Sequence, residues 1–302
     1  MSAETQPLWD PEVLDRIRHL QLLARSVVDG LLLGSHRSRK VGSDIEFAEY
    51  KEYAPGDDVR DIDWRALART DRLVVKRYQL ETELACTLVI DASGDMGTGE
   101  RSAHGRPDFE GSKLGFALCT AACVAWFMSR HREPIGLVVL GDEPVYMPAR
   151  AGDTHLARIF SILASLRAGG RAELGQAMTL VGGHVRRRSL VLLLSDFMEE
   201  TEGWVPQLSA LTRRKTDVVA LHVLDRRELE LDFEDPALFF SPEGGDVLPL
   251  DPHGAREEFL VVRDDWMSEV RGGLVRHGAR YYPAWTDEPL HKLLRRVLGG
   301  LP

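Results

Sequence analysis

From residue 84 onward the chain alternates two hydrophobic patterns. TLVIDAS, PIGLVVLGD, SLVLLLSDF and DVVALHVLD are short runs, apolar at successive positions. Such runs read as strands buried on both faces. Between them, apolar residues recur at three- and four-residue spacing, the period of a helix. KLGFALCTAACVAWFMSR, DTHLARIFSILASLRA, AELGQAMTLVGGHV and WVPQLSALTRR therefore predict helices, the second of them capped by Asp153. ALFFSPEGGDVLPLDP reads as a β-hairpin around Gly244-Gly245. REEFLVVRDDWMSEVRGGLVRHG, ARYYPAW and EPLHKLLRRVLGG close the chain as helix, strand and helix. Strands alternating with helices predict an α/β three-layer sandwich around a mostly parallel central sheet.

The region before residue 84 reads differently. Val13, Leu14, Ile17, Leu20, Leu23, Val27 and Leu31 form a stripe that predicts a helix over about 11–33, with Asp10 as N-cap and Pro11 at the first helical position. GSHRSRKVGSD follows as a basic loop. Pro55-Gly56 marks a turn, because proline presets one φ and glycine supplies the other. LVVKRYQL reads as a strand. The expected division is 1–83, an N-terminal helix and a β-rich segment that packs on the main domain, and 84–302, the main domain.

Composition narrows the function classes. The 302 residues carry 47 Asp and Glu against 38 Lys and Arg, a net charge of −9, which argues against a chain-wide affinity for nucleic acid. No apolar stretch reaches the roughly 18–20 residues of a membrane span, and the acidic start MSAETQPLWDPEVLD lacks the pattern of a signal peptide. Three cysteines do not make a disulfide framework. Cys119 and Cys123 share one face of an apolar helix and read as core fillers. The expectation is a reduced, cytoplasmic protein.

The chemistry gathers where the first buried run breaks, at LVIDASGDMGTGE. A phosphate-cradling loop needs Lys-Ser/Thr after its last glycine, and Glu100-Arg101 stands there. An aspartyl phosphohydrolase needs a second aspartate two residues after the first, together with a distant lysine and further carboxylates at strand ends; the second place holds Ser93, and Asp264-Asp265 falls inside an amphipathic helix. No HExxH, no Cys/His zinc spacing and no G-x-S-x-G elbow occurs in the chain.

Asp91-x-Ser93-x-Asp95, with Asp196 at the tip of a later strand, resembles the metal-ion-dependent adhesion site of von Willebrand factor A domains. In that pattern oxygen ligands hold a hard divalent cation and leave one position open for a partner's carboxylate. The resemblance implies a von Willebrand A-like fold. EFAEYKEYAPGDDVRDIDWRALART resembles the signature of a bacterial family known as domain of unknown function 58, through Tyr53, Pro55, Gly56, Asp57, Asp58, Arg60, Ile62, Asp63 and Trp64, followed by Arg65 and Arg69. Members of that family are often encoded beside MoxR-type AAA+ ATPases. The resemblance implies a non-catalytic adaptor or co-chaperone of such an ATPase, acting on a client protein. Aromatic and Arg residues are typical binding anchors, so Tyr53, Pro55, Gly56, Asp57, Asp58, Arg60, Asp63, Trp64 and Arg65 read as a docking surface; the plainer reading is local ion pairing, with the Trp64 ring buried. The alternative function is a metal-dependent phosphohydrolase using Asp91, Asp95 and Asp196.

The adhesion-site pattern is imperfect. Asp95 replaces a serine, and Ala172 stands where a distant threonine is expected. Asp91, Asp95 and Asp196 would crowd three carboxylates, which cannot all stay ionised unaided. A divalent cation, a Lys or Arg side chain, or a retained proton must compensate. The expectation is a degenerate site holding no metal, or one weakly bound Mg2+ or Ca2+.

Overall fold

The computed structural model describes residues 11–35, 47–53, 63–70, 72, 74–78, 84–98, 111–141, 144–185, 188–231, 237–239 and 248–299. By contacts the chain falls into two units, residues 33–83 on one side and 1–32 with 84–302 on the other. Helix α1 (Pro11–Ser35) thus belongs, up to residue 32, with the large unit. Its Val13, Leu20, Ala24 and Val28 are buried in that unit's core. The expected cap Asp10 lies outside the described residues. In the small unit, β1 (Phe47–Glu52) and β2 (Val74–Tyr78) form an antiparallel ribbon, with α2 (Trp64–Thr70) between them in sequence.

The large unit is built on one six-stranded sheet. Its strands are β3 (Cys86–Asp91), β4 (Ile135–Leu140), β5 (Val145–Arg150), β6 (Leu190–Ser195), β7 (Asp217–Leu224) and, after a separate two-stranded ribbon, β10 (Arg280–Trp285). The ribbon pairs β8 (Ala237–Phe239) with β9 (Leu248–Leu250), as the hairpin pattern predicts, while Gly244-Gly245 lie outside the described residues. The sheet order is β10-β7-β6-β3-β4-β5, parallel throughout except for β5. The mostly parallel α/β sandwich is therefore the observed fold. Strands β3, β4 and β6 are buried at every residue, which is why they read as unbroken apolar runs.

Helices cover both faces. Leu88 and Ile90 of β3 point into a core formed with α3 (Lys113–Arg130), α4 (Asp153–Ser165), α1 and α9 (Leu290–Leu298). Val89 points to the opposite core, formed with α5 (Leu174–His184), α6 (Val205–Arg213) and the C-terminal part of α8 (Pro252–Arg276). Helix α3 buries nearly its whole circumference, which explains its almost continuous apolar sequence. Its start is fixed by Ser112, whose Oγ accepts from the Gly115 amide at 3.0 Å.

In the large unit two elements escape the sequence pattern. Edge strand β5 alternates half-buried and exposed residues and carries Pro148, which an edge tolerates because the missing N–H has no ladder partner to lose. Helix α7 (Arg226–Glu230) is a single capped turn, too short to show a period. The Asp225 carboxylate accepts from the Arg227 and Glu228 amides at 3.0 and 3.3 Å.

Candidate functional site

Strands β3 and β6 are neighbours, yet the helices that follow them leave in opposite directions. α3 lies on one face of the sheet and α6 on the other. That divergence opens a crevice at the carboxyl ends of the two strands, the place where open α/β sheets bind ligands. Asp91 is the last residue of β3, and Asp196 follows the last residue of β6.

The Asp91 carboxylate is held by the protein. Its Oδ2 accepts from the Ser195 hydroxyl at 2.6 Å, and its Oδ1 accepts from the Ser93 amide at 2.9 Å. Ser195 Oγ in turn accepts from the Phe197 amide at 2.9 Å. Burial, reinforced by the charge of Asp196, pushes the Asp91 pKa up to about 6, against the opposing pull of those hydrogen bonds. Asp95 is half-buried, and burial followed by the Asp196 charge raises its pKa, while Lys113 draws it down.

Asp196 has a cation of its own. The Nζ of Lys113 lies 2.7 Å from Asp196 Oδ2 and 2.8 Å from Glu228 Oε2. The Lys113 side chain is only 1% exposed and that of Asp196 3%, so this pair sits out of water. Burial pulls the Lys113 pKa down, but the charges and hydrogen bonds of Asp196 and Glu228 more than offset it, and the ammonium ends above its ordinary value. Lys113 opens α3, where the helix dipole disfavours a positive charge; two carboxylates at hydrogen-bond distance compensate. Glu228 is more open, and burial raises its pKa while Lys113 lowers it.

The backbone around Asp196 is equally constrained. His222 Nε2 lies 2.9 Å from the Asp196 carbonyl oxygen, which can only accept, so Nε2 carries the proton. Nδ1 then accepts from the Tyr281 hydroxyl at 3.0 Å. Burial lowers the His222 pKa to about 4, keeping the ring neutral. Phe197 has a φ of 53°, a left-handed conformation that costs a non-glycine residue strain. Its ring is locked between Trp204 and His222, at centroid distances of 5.6 and 5.5 Å. The Met198 amide donates to Asp196 Oδ1 at 3.3 Å.

A cleft of about 290 Å³ opens over this rim, and its lining includes Asp91, Ser93, Asp95 and Asp196 together with Arg171, Ala172, Glu173 and Glu199. The loop carrying Ala172 is tied to the β3 loop by Gly94 N–H to Gly170 O and Gly169 N–H to Ala92 O, each at 2.9 Å. Glu199 caps α5 by accepting from the Leu174 amide at 2.8 Å.

The four residues expected to hold a metal, Asp91, Ser93, Asp95 and Asp196, thus all line one cleft. They do not fit a divalent cation well. One oxygen of Asp196 is committed to an ammonium, and Ala172 supplies no side-chain oxygen. Among the described residues, no three carboxylates, imidazoles or thiols are spaced to hold one metal ion.

A family described as "Protein of unknown function DUF58" matches residues 49–270. The chain belongs to the DUF58 family. The uncharacterized protein Rv1480 of Mycobacterium tuberculosis is 31% identical to this DUF58 chain over 265 residues, 85% of this chain and 77% of the relative. Among solved structures, the conserved hypothetical protein BatB from Bacteroides thetaiotaomicron is similar at a TM-score of 0.43 and 13% identity, covering 72% of this chain and 97% of that one. The SpRpn10 VWA domain is similar at a TM-score of 0.41 and 13% identity, covering 71% and 95%. Both fall below a TM-score of 0.5, and the fold assignment rests on the sheet topology.

In the small unit of this DUF58 chain, Asp63 is buried at the start of α2, with its Oδ1 accepting from the Ala66 amide at 3.1 Å and its own amide donating to Val74 O at 3.0 Å. Tyr53 is half-buried directly after β1, and Arg65 lies in α2. Trp64 is 61% exposed, which corrects the reading that its ring is buried. Pro55, Gly56, Asp57, Asp58 and Arg60 lie outside the described residues.

Sequence reasoning missed Lys113 and Glu228. A signal for Lys113 exists: it is a lone cation at the N-terminal start of a helix with no polar face, where neither water nor the helix dipole can stabilise it.

Proposed function

We propose that this DUF58 protein is a non-catalytic protein-interaction module that partners a MoxR-type AAA+ ATPase in the maturation of a client protein. The reading also places it in the cytoplasm, and no described helix is long and apolar enough to cross a membrane. The observation that supports a binding role over hydrolysis is the state of the two strand-end carboxylates. Asp91 is fixed by Ser195 and Ser93, and Asp196 is paired with Lys113. A phosphohydrolase needs one carboxylate free to attack and others free to hold a metal. Here each oxygen of Asp91 already accepts one hydrogen bond and Asp196 Oδ2 accepts from an ammonium, which lowers the nucleophilicity of both carboxylates.

The resemblance of the segment from Tyr53 to Trp64 to the family signature supports the choice of partner. The exposed indole of Trp64 is the kind of aromatic anchor that dominates interfaces. We expect the rim to bind divalent cations weakly or not at all. Affinity capture of a MoxR-type ATPase from the same genome tests the proposal. Wild-type protein is expected to retain the ATPase, and Trp64→Ala to lose at least tenfold of the captured amount. Absence of capture by correctly folded wild type contradicts the partnership. Magnesium-dependent turnover of a generic phosphoester, abolished by Asp91→Asn, contradicts the non-catalytic assignment.

A further inference from the structure

We infer that Lys113 is a built-in cation that does at this rim what a bound metal does in an adhesion site, and that removing it uncovers a divalent-cation site on Asp196 and Glu228. The inference deepens the reading of the rim as poor in metal affinity and rests on that reading. It is independent of the identity of the partner.

Three observations carry it. First, Asp196 Oδ2 and Glu228 Oε2 lie 2.7 and 2.8 Å from a single point, the Lys113 nitrogen. Divalent cations sit about 2.0–2.6 Å from oxygen ligands, and magnesium is commonly held by one or two carboxylates with water completing the shell. A small contraction converts the ammonium's cradle into a cation's. Second, the point is buried, so two carboxylates left there without a positive charge create a strong demand for one. Third, the neighbouring oxygen is suitable: Thr98 Oγ1 lies 3.4 Å from Glu228 Oε2, close enough to turn toward an ion or its water. The shortened side chain of Lys113→Ala leaves the volume of three methylenes and the ammonium for that water.

The built-in cation also changes what the rim can grip. A metal in an adhesion site keeps an open position for a partner's carboxylate. The Lys113 side chain is 1% exposed and two of its three N–H donors point at Asp196 and Glu228, so burial leaves a partner no such position. A partner docked at this rim is therefore held without a chelatable metal and not through an acidic side chain on one.

The test titrates Mn2+ into chelator-treated protein, reading free manganese by electron paramagnetic resonance, for wild type, Lys113→Ala, Lys113→Arg and the double variant Lys113→Ala/Glu228→Gln. Wild type and Lys113→Arg are expected to leave the manganese free up to millimolar concentration. Lys113→Ala is expected to bind one equivalent at least tenfold more tightly, with the gain lost in the double variant. If Lys113→Ala does not fold alone, refolding on addition of Mn2+, seen by circular dichroism, supports the inference, and failure to refold overturns it. Two other results overturn it. Saturable sub-millimolar binding by wild type shows that a metal coexists with the lysine. A folded Lys113→Ala that leaves manganese free, with wild type also inert, removes the latent site while leaving the weak-metal reading intact.

Discussion

Lys113 Nζ and Asp196 Oδ2 meet at 2.7 Å across 83 residues of sequence, with both side chains essentially inaccessible to water. The contact ties the first turn of α3 to the end of β6, and through Glu228 to α7 as well. A buried pair of this kind adds little net stability when complete, but breaking it leaves one charge stranded.

Lys113→Met is therefore expected to destabilise the protein by about 3–5 kcal/mol, while Lys113→Met/Asp196→Asn recovers part of that loss because no uncompensated charge remains at Asp196. Denaturant unfolding of the four corners of this cycle checks it. Equal destabilisation of the single and double variants means that the ion pair is not the cause.

Two of the groups that shape the acid side of the stability curve oppose each other. The Asp91 pKa is raised to about 6, so its stabilising contribution is fully present below its ordinary value near 4 and is lost as pH rises through 6. The His222 pKa is lowered to about 4, so its contribution is present above its ordinary value near 6.5 and is lost as pH falls through 4. Each swing amounts to about 3 kcal/mol at most. In wild type they largely cancel between pH 4 and 6. Asp91→Asn is expected to steepen the rise of Tm with pH across that window, and His222→Gln to flatten or reverse it. Parallel profiles for wild type and Asp91→Asn contradict the assignment.

Ser195 couples the two strand ends, donating to Asp91 Oδ2 while accepting from the Phe197 amide. Ser195→Ala removes both interactions from a buried site. It is expected to cost about 1–3 kcal/mol and to move the Asp91 titration higher, as read by carboxyl-selective NMR. An unchanged Asp91 titration contradicts the bond.

Cys86, Cys119 and Cys123 are all buried thiols, and burial pushes the Cys86 pKa up to about 12 and raises that of Cys123. Since the thiolate is the reactive form, a disulfide-exchange reagent at pH 8 is expected to modify none of the three in folded protein and all three in denaturant. Rapid labelling without denaturant signals that the α3 core opens readily.

Much of this arrangement is legible in the sequence. TLVIDAS and SLVLLLSDF announce central strands because each is apolar on both faces, and the aspartate that ends each run marks the carboxyl edge of the sheet. That edge marks Asp91 and Asp196, the resemblance to the adhesion site adds Ser93 and Asp95, and all four line one cleft. Lys113 and Glu228 were not found, because their meaning comes from a contact between residues 113 and 228 that no local period encodes. A lysine at a helix start reads as a solvated end until the other faces of that helix are seen to be buried. Strand β5 was missed because alternation interrupted by Pro148 weakens the pattern, and an edge position relaxes the need for it. Trp64 was open to two readings, and its 61% exposure decides against the buried one.

The most direct measurement is a crystal structure of the wild-type protein grown in manganese, with anomalous data collected near the manganese absorption edge. The account predicts density for the Lys113 ammonium between Asp196 and Glu228, with no anomalous peak within ligand distance of Asp91 or Asp196. A manganese peak bound by Asp91 and Asp196, with the Lys113 side chain turned away, contradicts it.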